Sequence, residues 1–165
     1  MNDHQVKFRF RDKDEARAYV ENHRIPQVKL GFTDVDGILR GKYVSREKFL
    51  SALDKGFGFC DVVVGWDSND QLYDNTTYTG WHTAYPDAPA RIVAETGRPL
   101  PFENDTPFFL CELKDKAEEV CPRGALRKVL QRADDMGFLA SAAFEYEFFL
   151  FNETPDSVRA KGSSA

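Results

Sequence analysis

One short stretch near the end of the chain, residues 144–151, constrains the fold more than any other. It reads Phe-Glu-Tyr-Glu-Phe-Phe-Leu-Phe and contains neither glycine nor proline. Its length and aromatic content favour a buried β-strand over a helix. We call residues 144–151 the aromatic segment, and we expect a strand over residues 138–151.

Two carboxylates lie on the same face of this predicted strand. Side chains alternate between faces, so Glu145 and Glu147 project the same way, roughly 7 Å apart. A half-exposed strand with both acids in water is the simpler interpretation. However, large apolar groups occupy both faces, and a buried unpaired charge costs several kcal/mol. Divalent metal ions are the simplest compensation, and they favour oxygen ligands.

The composition excludes several classes of protein. The 165 residues carry 22 basic and 27 acidic side chains, a net charge of −5, with neither sign gathered into a long run. Nucleic acid is therefore not an expected partner. There is no signal-peptide core and no apolar run long enough to span a bilayer, so no membrane partner is expected. Cys60, Cys111 and Cys121 lack the spacing of a metal site, which favours buried thiols in a reducing cytoplasm.

Local patterns predict a small α+β unit before the aromatic segment. We expect a helix from Asp12, then a hairpin with a tight two-residue turn at Asp36-Gly37. A second helix is expected between the N-cap Ser45 and the stop signal Gly56. The remaining predictions are strands over 57–66, 90–95 and 107–113, a long irregular loop over 67–89, and a helix from 122 that stops at 137.

The order and spacing of several motifs resemble the glutamine synthetase family, including γ-glutamyl amine ligases and glutamine synthetase-like proteins. The motifs are Leu39-Arg40-Gly41-Lys42, Trp66-Asp67, Tyr85-Pro86-Asp87, Pro122-Arg123 and the aromatic segment. The resemblance covers about residues 27 to 152. It implies an α+β fold with a β-grasp N-terminal domain, followed by the first helix and strand of a glutamine synthetase-type catalytic domain.

The local patterns and the resemblance together divide the chain into four parts. Residues 1–26 are the N-terminal helix and lead-in, 27–113 the β-grasp domain, 114–152 the incomplete start of the catalytic domain, and 153–165 a loose tail. The family's remaining metal ligands and nucleotide site are expected beyond residue 165. The chain alone is therefore expected to be inactive.

The resemblance also implies the chemistry. The family joins the γ-carboxylate of glutamate to ammonia or a larger amine through γ-glutamyl phosphate, with ATP as co-substrate and Mg²⁺ or Mn²⁺ as cofactor. Glu145 and Glu147 match its first pair of metal-binding glutamates. Its members form homo-oligomers with active sites between subunits.

Asp67 matches the family aspartate that binds and deprotonates ammonium. A carboxylate is suited to both tasks, although a turn-forming role at the end of a strand explains the residue equally well. Ammonia-using members follow this aspartate with Gly-Ser-Ser, whereas this chain has Ser68-Asn69-Asp70. This departure leaves open a larger amine as the acceptor. A non-catalytic β-grasp module for assembly or protein binding is the alternative function.

Overall fold

The computed structural model describes residues 10–73 and 75–162. The helices and strands are, in chain order, α1 (Lys13–Asn22), β1 (Gln27–Thr33), β2 (Leu39–Ser45), α2 (Arg46–Lys55), β3 (Phe57–Cys60), β4 (Asp87–Ile92), β5 (Arg98–Leu100), β6 (Thr106–Leu113), α3 (Pro122–Asp135) and α4 (Pro155–Lys161). The first part of the chain is thus a mixed α+β structure, as the sequence predicts.

The first two helices begin at side-chain caps that the sequence shows. The carboxylate of Asp12 accepts two backbone N–H groups at the start of α1, and the Ser45 hydroxyl accepts the N–H of Lys48 at the start of α2. Gly56 follows α2 with a φ of 72°, a conformation that glycine adopts without strain. Both predicted helices are confirmed.

The strands form one curled sheet in the order β2-β1-β6-β4-β3. β1 and β6 are parallel, while the other neighbours are antiparallel. The short β5, which the sequence patterns did not predict, pairs with the beginning of β6. α1 and α2 cover the sheet, and the buried side chains between them include Val20, Leu30, Phe49 and Phe109.

Lys42 links the two outermost strands of this sheet. From β2 its ammonium donates a hydrogen bond to the carbonyl oxygen of Gly58 on β3, at 3.2 Å. The same nitrogen lies 5.4 Å from the ring centre of Phe57 and 4.9 Å from that of Phe59. Since β2 and β3 are the two ends of the strand order, the sheet curls until its edges come within reach of one side chain.

The hairpin between β1 and β2 is confirmed, but its turn is longer than predicted. The last paired residues are Thr33 and Leu39, which leaves five residues in the connection instead of two. Gly37 has a φ of 83°, as the Asp-Gly signal requires. The extra length accommodates the buried side chain of Asp34.

The predicted strand over 57–66 is wrong beyond Cys60. Residues Asp61–Val64 form a 3₁₀ turn. The Asp61 side chain is buried and accepts a hydrogen bond from the Thr79 hydroxyl at 2.5 Å, and its backbone N–H donates to the carbonyl of Pro86. These contacts turn the backbone despite the strand preference of three successive valines, because strand preference depends on context.

The last strand predicted from the sequence is also absent from the described residues. Helix α3 forms as predicted and ends before Gly137, which has a φ of 83°. Residues 138–151, however, pair with no other described strand, and all of them are exposed. A strand is defined by its hydrogen-bonded neighbour, and alternation of side chains cannot provide one.

The predicted loose tail contains a short helix. α4 begins at Thr154, whose side chain and backbone form a reciprocal capping box with Ser157. It buries none of its residues. Residues 163–165 of that predicted tail and residues 1–9 of the predicted lead-in lie outside the described residues. Within the described parts of the chain, no helix is long and apolar enough to cross a membrane.

Candidate functional site

Asp34 organises the hairpin connection from a fully buried position. One of its carboxylate oxygens accepts the backbone N–H groups of Asp36 (3.0 Å) and Ile38 (2.8 Å). The other accepts the Nε–H of Arg40 at 2.8 Å. The side chain is 0% exposed, so these donors supply the hydrogen bonds and positive charge that a buried carboxylate needs.

Arg40 reaches from the hairpin to a second loop, which we call the Asp67 loop (residues 66–71). Its guanidinium donates to the Asp70 carboxylate at 2.5 Å and to the backbone carbonyl of Asp67 at 3.2 Å. It also lies 4.9 Å from the ring centre of Trp66. The hydrogen bond to Asp34, together with Asp70, raises the pKa of Arg40 above its usual value.

Asp67 is a half-buried residue whose carboxylate shapes its own loop. Its Oδ1 atom accepts the backbone N–H groups of Asn69 (2.8 Å) and Gln71 (2.9 Å). The next N–H along the chain, that of Ser68, donates to Asp36 at 2.8 Å. The turn-forming role considered from the sequence is therefore confirmed. The second carboxylate oxygen makes no hydrogen bond to any described residue, and the catalytic role stays a prediction.

Glu145 and Glu147 lie in a very different environment. Both are exposed, and neither forms a hydrogen bond or ion pair with another described residue. No such contact joins them to the Asp67 loop. Within residues 10–73 and 75–162, no group of three or more histidine, cysteine, aspartate or glutamate side chains is arranged to hold a metal ion.

Glu145 and Glu147 nevertheless carry the kind of ligand atoms that a divalent cation binds. Carboxylate oxygens are preferred ligands of Mg²⁺ and Mn²⁺. Neither carboxylate is engaged by a described lysine or arginine, so no ion pair would have to break before a cation binds. Two such ligands satisfy part of a coordination shell, and further ligands are required to fill it.

A second cluster of charges, not predicted from the sequence, joins α3 to the sheet. Glu112 on β6 is 4% exposed and accepts hydrogen bonds from Arg91 at 2.7 Å and Arg127 at 2.6 Å. Arg123 lies 3.4 Å away. Burial by itself raises the pKa of Glu112, but the three arginines outweigh it and the net pKa is lowered. An opening of about 800 Å³ lies beside this cluster.

The sequence contained signals for some of these missed residues. Asp34 stands two positions before Asp36, the spacing at which an aspartate accepts a backbone N–H in a turn. Glu112 interrupts an otherwise apolar strand, which indicates a buried acid with partners. Nothing in the sequence pairs Arg40 with residues 67–70, because that contact depends on how the sheet places two distant loops.

Comparison with known proteins gives consistent matches. Residues 119–164 match the family model for the glutamine synthetase catalytic domain. The chain is 42% identical over 142 residues to type-1 glutamine synthetase 2 of Dictyostelium discoideum. This match covers 84% of this chain and 27% of that protein. It is 36% identical over 151 residues to glutamate–isopropylamine ligase of a Pseudomonas species, covering 88% of this chain and 33% of the relative.

A third relative is γ-glutamylethanolamide synthetase of Streptomyces coelicolor, 30% identical over 145 residues, covering 86% of this chain and 31% of that protein. The chain thus spans about a quarter to a third of the length of these relatives. Among solved structures, Plasmodium falciparum glutamine synthetase superposes with a TM-score of 0.56 at 15% identity, over 78% of this chain and 24% of the other. That likeness establishes a shared fold.

Proposed function

We propose that this chain, a relative of the glutamine synthetases and γ-glutamyl amine ligases, is the N-terminal part of an ATP-dependent carboxylate–amine ligase. In the proposed reaction a glutamate γ-carboxylate oxygen attacks the terminal phosphorus of ATP and ADP leaves. An amine then attacks the carbonyl carbon of γ-glutamyl phosphate, and phosphate leaves. The acceptor is ammonia or a larger amine.

The observation that carries this proposal is the similarity of nearly the whole chain to three ligases of this type. The fold adds independent support, because the curled sheet resembles that of a glutamine synthetase. Within the proposal, residues 27–113 form a β-grasp domain and residues 114–152 begin the catalytic domain. The assembly is a homo-oligomer with active sites between subunits.

Asp67 is the residue proposed to bind the amine and accept its proton. One of its carboxylate oxygens is bound by its own loop, and the other has no hydrogen bond to a described residue. An oxygen in that state can accept a hydrogen bond from an ammonium or alkylammonium ion and then its proton, which frees the nitrogen lone pair for attack. Phosphate, rather than the amine, is then the leaving group.

Glu145 and Glu147 are proposed to hold a divalent cation. When bound, Mg²⁺ or Mn²⁺ neutralises phosphate charge during phosphoryl transfer. This chain contributes two carboxylates on one short segment, neither of which has an ion-pair partner among the described residues. The other metal ligands and most of the nucleotide site are proposed to come from outside residues 1–165.

The identity of the amine depends on the residues next to Asp67. Ser68, Asn69 and Asp70 depart from the Gly-Ser-Ser that follows this aspartate in ammonia-using members, which leaves the acceptor open. The relatives of known name include one that uses isopropylamine and one that makes an ethanolamide. These features support an amine larger than ammonia among the substrates to be tested.

The test is an assay of the product expressed in full from its own gene. Purified protein, ATP, Mg²⁺ and glutamate are combined with ammonia, isopropylamine or ethanolamine, and ADP and the γ-glutamyl product are measured. We expect product only when glutamate and an amine are both present. The 165-residue chain alone should give none. Absence of product with every amine, together with stable binding of another protein, would favour the non-catalytic module instead.

A further inference from the structure

We infer that Arg40 is a positioning residue that fixes the Asp67 carboxylate for the amine. This inference rests on the proposed function, because it assigns Arg40 a role through Asp67. Arg40 itself touches no proposed substrate. Its three hydrogen-bonding partners, Asp34, Asp67 and Asp70, belong to two loops that the chain separates by about thirty residues.

The side chain of Arg40 is held in place before it meets the Asp67 loop. Asp34 is fully buried and binds the Nε–H, while its other oxygen is occupied by two backbone N–H groups of the hairpin. The guanidinium is planar, so a fixed Nε–H also fixes the direction of the two terminal nitrogens. Arg40 is 18% exposed at its side chain, which limits its alternatives in water.

One peptide group of the Asp67 loop is held at both ends by residues of the hairpin. Arg40 binds the carbonyl of Asp67 at 3.2 Å, and the Asp36 carboxylate accepts the N–H of Ser68 at 2.8 Å. These two groups belong to the same peptide bond. Holding both of its ends fixes the orientation of that peptide plane, and with it the direction in which the Asp67 side chain leaves the backbone.

Arg40 also adjusts the charge around Asp67. Asp70 lies three residues further along, and its carboxylate is paired with Arg40 at 2.5 Å. A carboxylate paired in this way competes less for a cationic amine than an unpaired one. The amine is therefore directed to Asp67, whose second oxygen makes no hydrogen bond to a described residue.

The fluorescence of Trp66 can report on the contact between Arg40 and the Asp67 loop. Its ring lies under the Arg40 guanidinium, and its Nε1 is buried without a hydrogen-bond partner among the described residues. The chain has two tryptophans, and Trp81 is 79% exposed. In a Trp81→Phe background, the fluorescence of Trp66 reports on the Asp67 loop alone.

The structural test uses the 165-residue chain with Arg40→Gln, and Arg46→Gln as the matched control. Arg46 is half-exposed, and among the described residues its ion pair is with its neighbour Glu47. We expect the amides of Ser68 and Gln71 to exchange hydrogen at least about tenfold faster in Arg40→Gln, because the loop loses at least one charge-assisted hydrogen bond. Trp66 emission should shift, and amides of β1 and β6 should be accelerated less than those of the Asp67 loop.

Two outcomes would overturn the inference. Unchanged exchange at Ser68 and Gln71 would show that Arg40 does not hold the loop. Equal acceleration throughout the sheet would show that Arg40 is a general stabiliser.

If Arg40→Gln does not fold, Asp70→Asn serves instead, because Asp70 is 62% exposed at its side chain and the contact between Arg40 and Asp34 remains. It should accelerate Gln71 exchange, and no change there would equally overturn the inference.

The kinetic test uses the product of the whole gene. Arg40→Gln should raise KM for the amine about tenfold, on the same basis of one lost charge-assisted hydrogen bond, and leave KM for ATP unchanged. Arg40→Lys keeps the charge but loses the planar set of N–H donors that binds several acceptors at once. It should therefore not restore the wild-type KM for the amine. Full restoration by lysine, or an effect confined to the amount of folded enzyme, would contradict a positioning role.

Failure of this inference can be distinguished from failure of the proposed function. If Asp67→Asn removes amine transfer and Arg40→Gln changes neither loop exchange nor KM, the inference alone is wrong. If the gene product makes no γ-glutamyl product with any amine, the proposed function is wrong. In that case the loop exchange still reports whether Arg40 holds the Asp67 loop.

Discussion

Three carboxylates are assigned to the same proposed reaction, but their surroundings differ. They are those of Asp67, Glu145 and Glu147. Asp67 sits in a loop fixed by its own oxygen, by Asp36 and by Arg40. The two glutamates lie on the aromatic segment, where they are exposed and have no described partner. The first site is held in place by contacts among the described residues, and the second is not.

The difference shows what each carboxylate needs in order to work. The hydrogen bonds that orient the Asp67 loop are formed within residues 34–71, so this chain contains the information that places it. The orientation of Glu145 and Glu147 has to come from groups that bind them, such as a cation or neighbouring strands. Substitutions in the two regions should therefore have separable effects on activity and stability.

The largest expected effect is on amine transfer. Asp67→Asn removes the proposed proton acceptor, and we expect kcat/KM for the amine to fall by about 10²–10⁴-fold in the product of the whole gene. Steady-state rates with a panel of amines measure it. Asp54→Asn, an exposed change in an ion pair with Lys13 and Arg17, is the control. Equal losses in both variants would remove the assigned role of Asp67.

The next effect concerns the support of the Asp67 loop. Asp34→Ala leaves the N–H groups of Asp36 and Ile38 and the side chain of Arg40 without their acceptor. We expect the free energy of unfolding to fall by about 3 kcal/mol, since each buried unsatisfied group costs about 1–3 kcal/mol. Urea denaturation measures the change. A loss below that of an ordinary surface substitution would mean the loop is not built as described.

A pH-dependent effect is expected at Glu112, where α3 joins the sheet. Its pKa is lowered in the folded state, so the unfolded chain binds the proton more readily. Its stabilising contribution is present above the ordinary glutamate pKa and is lost as the pH falls through the lowered folded pKa. Glu112→Gln should cost about 1.5 kcal/mol at neutral pH, the value of a hydrogen bond to a charged group.

Denaturation curves between neutral and acidic pH check this prediction. The difference between wild type and Glu112→Gln should shrink as the pH falls. The exposed pair Arg11 and Glu15 offers a control in Glu15→Gln. A difference that stays constant with pH would show that the arginines do not hold Glu112 in its charged form.

The smallest stability effect is expected in the aromatic segment. Glu145→Gln and Glu147→Gln alter exposed side chains, so the free energy of unfolding should change by no more than about 0.5 kcal/mol. In the product of the whole gene, the same substitutions should raise the Mg²⁺ concentration needed for half-maximal activity. A stability loss as large as that of Asp34→Ala would abolish the contrast between the two regions.

The elements that local signals specify were predictable from the sequence. Asp12 and Ser45 cap helices that form where expected, and the Asp-Gly signal marks a hairpin. The resemblance to the glutamine synthetase family is confirmed by the relatives. In each case the information lies within a few neighbouring residues, or within motifs whose order can be recognised.

The incorrect predictions arose where distant contacts decide the backbone. The valines after Asp61 favour a strand, but the hydrogen bond between Asp61 and Thr79 belongs to the tertiary structure. The length and aromatic content of the aromatic segment favour a strand, yet it has no strand partner among the described residues. Arg40 lies on the hairpin, but its partners 27 and 30 positions away follow from how the sheet folds.

The reach of Lys42 across the curled sheet has a consequence for how this protein meets other chains. An open sheet offers two free edges at which a foreign strand can add, and such addition begins many aggregates. Here the outer strands β2 and β3 approach closely enough to share one ammonium group. Lys42→Met would remove the charge and the hydrogen bond that link these edges, and we expect any new strand pairing between molecules to begin at β2 and β3.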